Sequence, residues 1–214
     1  MALIQSGAST DILTVDPTAK AARTTIRPNE VTGAYRWTAT SGSIAAATAA
    51  GVLFTWKYAG SGVAVLRRID VGLQVTTAYT QGGIKISSYF VRTTFTQATG
   101  AGNNANTVAL TGNIGKKRTS HATTNVSAYI CTTTGIINDT ATGEDTTPFS
   151  SVLLNQPANI GIVGATILYQ DDPTDYPLVF AQNEGFRIKN DTAFAATGAS
   201  NLVVTVEYDE MAAY

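Results

Sequence analysis

The sequence predicts an all-β protein, with a jelly-roll-like sandwich of two sheets and an extended N-terminal arm. Two observations lead to this prediction. Short runs rich in β-branched and aromatic residues alternate with loops rich in Gly, Asn and Thr, which is typical of strands and turns. No long segment shows the 3.6-residue apolar period of a helix. Thr occurs 34 times among 214 residues, and this β-branched residue suits half-exposed strand positions.

The first 30 residues differ from the rest of the chain. They form short apolar clusters separated by turn formers, and Pro17 and Pro28 prevent a long regular element. We therefore predict an extended arm over residues 1–30 and a single β-sandwich domain over residues 31–214. The side chains expected to make the arm's interface are Ile4, Ile12, Leu13, Val15 and Arg23.

Roughly eight to ten strands are expected after Ala34, joined by Gly-, Asn- and Thr-rich loops. This number of strands with long connections favours a jelly roll, and an immunoglobulin-like sandwich is the alternative. The Ala-rich run 44–50 is the one helix candidate, and it is a marginal one because it spans only about two turns. The strand-like runs lie at 52–58, 63–73, 84–95, 125–131, 160–169, 177–181, 186–190 and 202–208.

Two details of the pattern are specific enough to test. In the run 63–73 a period of two places Val65, Ile69, Val71 and Leu73 on one face, with Arg67 intruding on it. The dipeptide at 82–83 is Gly-Gly between two strand-like runs, which predicts a hairpin turn.

The charge content is low. Charged residues make up 14% of the chain and the formal net charge is −1, against about 25% charged residues in ordinary proteins. Nothing in this balance attracts a nucleic acid or an anionic membrane, and the basic run 116–118 reads as a solvated loop. We expect no secretory signal and no membrane span, because no run approaches about 18 apolar residues. A nearly uncharged surface is typical of a protein packed against neighbours.

Few residues could carry chemistry. Cys131 and His121 are the single representatives of their types, so a zinc site or a disulfide within the chain is excluded. Cys131 lies in a strand-like run and is interpreted as a small buried residue. His121 lies in a Ser/Thr loop and is interpreted as solvated.

The carboxylates give two further hypotheses. Asp171, Asp172 and Asp175 could hold Ca²⁺ through oxygen ligands, or could simply form a turn. Glu184 precedes Gly185 in a turn where the glycine would supply positive φ, and it could pair with Arg187 or with Arg23 of the arm. Glu207 and Asp209 have the parity of a solvated strand face. We therefore expect no catalytic residues, no metal and no cofactor, so the chain should not be an enzyme.

Two segments resemble virion proteins of tailed bacteriophages. The first is Thr10–Arg23, TDILTVDPTAKAAR, and the second is the closing part from Pro177–Phe186, PLVFAQNEGF, through Val204–Glu210, VTVEYDE. The segments cover roughly a quarter of the chain. The resemblance implies a jelly-roll protein that binds a shell, often as a trimer, and it carries no catalytic residues with it.

Taken with the low charge, the resemblance leads to one main expectation. The chain should decorate or cement the outer surface of a bacteriophage capsid, with the major capsid protein and other copies of itself, as a homotrimer, for partners. Its location would be the virion, assembled in the host cytoplasm. The alternatives are a tail, neck or fibre component that contacts host glycans, and a carbohydrate-active enzyme with its site in loops 97–115 and 138–148.

Overall fold

A computed structural model describes residues 31–45, 50–92, 95–99, 101–133, 136–141, 143–172 and 176–212. The predicted arm lies outside the described residues. A single 3₁₀ turn is described, at Ala101–Asn103. The strands are β1 Val31–Ala45, β2 Gly51–Tyr58, β3 Val63–Thr77, β4 Gly82–Val91, β5 Phe95–Thr96, β6 Ala105–Thr107, β7 Val126–Cys131, β8 Thr140–Ala141, β9 Ser150–Gln156, β10 Gly161–Gln170, β11 Leu178–Phe180, β12 Gly185–Asn190 and β13 Ala199–Met211.

The strands form two antiparallel sheets packed as a sandwich. Sheet I has the order β1-β13-β3-β10, and β11 also pairs with β3. Sheet II has the order β6-β7-β2-β12-β4-β9, and β5 with β8 forms a small separate pair. The strands β1, β2, β3, β4, β9, β10, β12 and β13 have the connectivity of an eight-stranded jelly roll. The predicted fold class, an all-β jelly-roll-like sandwich, is therefore confirmed.

Aromatic rings fill the space between the sheets. Trp56 of β2 stacks on Phe186 of β12 with ring centroids 5.3 Å apart, and its edge meets Tyr208 of β13 at the same distance. Phe180 of β11 stacks on Phe90 of β4 at 4.5 Å. Trp56, Phe180, Phe186 and Tyr208 are fully buried, and each such side chain contributes roughly 1.5–3 kcal/mol through the area it buries. These contacts hold the two sheets together.

A β-bulge explains the intruding arginine. Leu66 pairs with Tyr208 and Arg68 pairs with Glu207, so Arg67 is an extra residue in β3. The inward face therefore shifts by one position, from Leu66 before the bulge to Ile69 after it. The prediction that Val65 shares a face with Ile69, Val71 and Leu73 was wrong for this reason. The bulge frees the Arg67 side chain for ion pairs outside the core.

Three other expectations are corrected. The Gly82-Gly83 hairpin is wrong, because β3 lies in sheet I and β4 in sheet II, so the chain crosses between sheets there. Ile44 and Ala45 of the helix candidate belong to β1, and residues 46–49 lie outside the described residues. β1 and β9 are strands that the predicted runs do not include.

The segment between β4 and β9 is an insertion that packs on the body of the sandwich. Its strand β7 pairs with β2 and so widens sheet II. Its loop covers the start of the outer edge of β1: Arg36 N donates to Gly115 O at 2.7 Å and Lys117 N donates to Ala34 O at 2.9 Å. His121 is half-buried rather than solvated, and its Nδ1 accepts a hydrogen bond from Ala34 N at 3.0 Å. The chain thus protects one edge of sheet I itself.

Candidate functional site

The opposite edge of the sandwich is open. In the described part of the chain, β10 pairs only with β3 and β9 pairs only with β4. Both strands are therefore edge strands, one from each sheet, and the short loop 157–160 connects them. An unpaired strand edge presents a row of N–H and C=O groups to which another chain can bind.

This edge carries most of the exposed apolar surface. Of the six large apolar side chains that are exposed among the described residues, five lie between positions 153 and 176. We call these five side chains the edge surface, and their exposed fractions are Leu153 76%, Ile160 71%, Ile162 81%, Ile167 47% and Tyr176 93%.

The strand registers show that the edge surface extends around the side of the sandwich. Ile162 pairs with Gln74 and Ile167 with Asp70, which places both on the outward face of sheet I. Leu153 pairs with Lys85 of β4 on the outward face of sheet II. A partner bound at this edge would therefore find apolar side chains on both flanks.

Charge is absent along β9, β10 and the loop that joins them. From Thr146 to Gln170 the sequence contains no Asp, Glu, Lys or Arg. Edge strands that face solvent usually carry charges, above all Lys, which oppose pairing with other chains. The edge surface has the chemistry of a contact surface, and the uncharged run 146–170 is the signal from which sequence reasoning could have found it.

The outward face of sheet II carries a buried ionic cluster. Arg187 of β12 is 9% exposed, and it forms ion pairs with Asp139, whose side chain is fully buried, and with Glu144. Arg187 Nη1 lies 2.5 Å from Glu144 Oε2, and Lys189 Nζ lies 2.7 Å from Glu144 Oε1. Burial raises the pKa of Asp139, and the hydrogen bonds from Arg187 oppose this rise. Because each charge meets an opposite charge, the cluster fastens loop 138–148 to the sheet.

A shallow groove of about 460 Å³ lies on the outward face of sheet I, around Arg67. Arg67 Nη1 lies 2.6 Å from Asp171 Oδ2, and its Nε lies 2.8 Å from Asp209 Oδ2. Asp171 therefore binds a guanidinium, which disfavours its use as a calcium ligand. Asp175 lies outside the described residues. No group of three or more His, Cys, Asp or Glu in the described ranges could hold a metal ion.

The turn at Glu184 differs from the prediction. Glu184 Oε2 accepts a hydrogen bond from Ala181 N at 2.8 Å, so this carboxylate caps its own turn and does not pair with Arg187. Positive φ falls on Asn183, at 68°, and not on Gly185. A Cβ on Gly185 would lie 2.1 Å from Trp56 O, so close approach of β2 is what requires glycine there.

Glu210 is a polar residue that sequence reasoning did not single out. It is 1% exposed, and it accepts hydrogen bonds from Asn125 N at 2.9 Å and Asn125 Nδ2 at 2.7 Å. These bonds join β13 to the segment that leads into β7. No sequence pattern predicts this pairing, because Asn125 and Glu210 are far apart along the chain.

Cys131 is buried, as predicted. Burial raises the pKa of its thiol to about 12. At neutral pH the group is therefore the protonated thiol, which is a poor nucleophile.

The five arm residues predicted to form an interface all lie outside the described residues; they are Ile4, Ile12, Leu13, Val15 and Arg23. Within the described ranges, no helix is long and apolar enough to cross a membrane. No protein-family model matches the sequence, and a search of curated proteins finds no significant match. The fold is thus established by the structure alone.

Proposed function

We propose that this chain is a non-catalytic structural protein of a virus particle, which binds and stabilises the outer surface of a bacteriophage capsid. The observation that carries the proposal is the edge surface, five exposed apolar side chains, four of which lie in the run 146–170 that contains no charged residue. Large apolar side chains that are exposed and concentrated at one edge of a fold are typical of a site of protein contact. The resemblance of the chain's two end segments to tailed-phage virion proteins supplies the kind of particle.

The proposed partners are the major capsid protein and other copies of this chain, assembled as a homotrimer in the virion. Each individual contact can be weak, because a symmetric shell repeats it many times and linked sites bind with high effective concentration. A low surface charge suits this role, since the protein remains packed against neighbours and has little need of charge for solubility.

The arm provides the test of shell binding. Deletion of residues 1–20 should abolish binding to purified shells, while the circular dichroism spectrum and melting temperature of the body stay unchanged. The comparison is a co-sedimentation assay of the full-length and the truncated chain with the same shells. Normal binding by the truncated chain would show that the arm does not attach the protein.

Copy number in the particle tests the location. Quantitative mass spectrometry of gradient-purified particles gives the ratio of this chain to the main shell subunit. A copy number of the same order as that of the shell subunit supports decoration of the shell. A ratio lower by one or two orders of magnitude supports a neck, tail or fibre position instead. Absence from particles would refute the structural role, and glycan binding or turnover by the isolated chain would then be measured.

A further inference from the structure

The edge surface raises the question of what covers it. We infer that it is covered by the same surface of other copies of this chain, close to the symmetry axis of the oligomer. This inference rests on the proposed function, and it identifies a second copy of this chain as the partner of the edge surface.

Symmetry gives a reason for the absence of charge in β9, β10 and the loop that joins them. A side chain on a symmetry axis meets its own copy, so a charged residue at that position would face a like charge. Like charges opposed across an interface cost several kcal/mol. A surface that binds a different protein has no such restriction, and it gains specificity from complementary charges. The absence of charge over Thr146 to Gln170 therefore favours self-contact.

The two edges of sheet I support the same inference. The insertion covers the start of the β1 edge: Gly115 O accepts a backbone hydrogen bond from Arg36 N, and Lys117 N donates one to Ala34 O. The β10 edge has no such cover in the described part of the chain. An exposed apolar edge strand is an aggregation hazard unless a partner covers it. A second copy is always present at the concentration of the chain itself, so it protects this edge at every stage before the shell is bound.

The first test is a charge at the proposed axis. Ile162 is 81% exposed, so Ile162→Lys leaves the core intact. We expect the wild-type full chain to be an oligomer by native mass spectrometry and light scattering. Ile162→Lys should self-associate at least about 100-fold more weakly. Ile114→Lys is the matched control, because Ile114 is 51% exposed but lies in the insertion, away from the edge surface. It should assemble like the wild type.

A charge-reversal experiment tests whether residue 162 of one copy lies against residue 162 of another copy. Ile162→Glu alone should also dissociate, and an equal mixture of the Lys and Glu variants should form mixed oligomers. A monomeric wild type, an oligomeric Ile162→Lys, or a mixture that stays monomeric would each overturn the inference. Loss of assembly on deletion of residues 1–30, with Ile162→Lys still assembled, would place the arm at the interface instead.

Shell binding separates this inference from the proposed function. If Ile162→Lys is monomeric and the wild-type oligomer does not bind shells, the self-contact holds and the proposed function fails. If the wild type is monomeric but binds shells, the proposed function holds and the self-contact fails. Both results come from the same purified samples, whose melting temperatures show that they are folded.

Discussion

Replacing Arg187 by Met should strongly destabilise the sandwich. The guanidinium is 9% exposed and the side chain of Asp139 is fully buried, so the variant leaves a buried carboxylate without its cation. Removing one partner of a buried ion pair costs about 3–5 kcal/mol. Glu144 keeps Lys189 as a partner, so Asp139 dominates the loss.

The assay is equilibrium urea denaturation followed by tryptophan fluorescence. With a slope of about 2 kcal/mol/M, the expected loss lowers the urea midpoint by roughly 2 M. Arg92→Met is the matched control. Arg92 forms a similar ion pair with Asp145 but is 59% exposed, so its loss should cost less than about 1 kcal/mol.

The double variant Arg187→Met/Asp139→Asn tests the cause. Removing the buried charge should recover part of the stability that Arg187→Met loses, because no unpaired carboxylate remains. Burial raises the pKa of Asp139 and Arg187 opposes that rise, so the cost of Arg187→Met should fall as the pH is lowered and Asp139 takes up a proton. A midpoint like that of the control, or a double variant no more stable than the single one, would refute the reasoning.

Three further predictions use other buried groups. Ser87 and Ser88 are both fully buried, but Ser87 Oγ donates a hydrogen bond to Asp191 Oδ2 at 2.5 Å whereas Ser88 Oγ has no hydrogen-bond partner among the described residues. Ser87→Ala should therefore cost about 1.5–3 kcal/mol in urea denaturation, and Ser88→Ala should be neutral or stabilising; equal losses would contradict this. Burial favours the neutral form of Glu144, but Lys189 and Arg187 outweigh it and lower the pKa of this carboxyl below its ordinary value of 4.5. Its stabilisation is present above that pH and is lost as pH falls through the lower, folded value, so Glu144→Gln should flatten the acid limb of a stability–pH curve; an unchanged limb would argue against it. Cys131 should resist a thiol reagent in the folded protein and react once per chain in urea, and rapid labelling without urea would show that the core around it opens.

The sequence predicted the fold class and most strands because alternation and turn residues are local signals. β9 was missed for two reasons. It begins with two serines, Ser150 and Ser151, and the exposure of its Leu153 follows from its position at the sheet edge, which the sequence does not show. The phase of β3 was misread because a bulge at Arg67 depends on pairing with β13, which no local period shows. The false hairpin at Gly82-Gly83 has a similar cause, since a tight turn and a crossover between sheets use the same residues.

The interaction surface could be predicted only in part. The uncharged run 146–170 is visible in the sequence, but its place at the open edge follows from which strands pair. The buried cluster around Arg187 joins residues more than forty positions apart. Such contacts depend on the completed sandwich and leave no periodic signal.

The position of β13 has a consequence for biosynthesis. β13 is the last of the described strands to be synthesised, yet it lies between β1 and β3 and pairs with both along most of its length. Sheet I therefore cannot be completed until β13 has been synthesised, and β1 must wait for a partner about 170 residues later. Such non-local pairing folds slowly and exposes strand edges meanwhile. We expect sheet I to form late in folding, and this protein to depend on chaperones when its synthesis is fast.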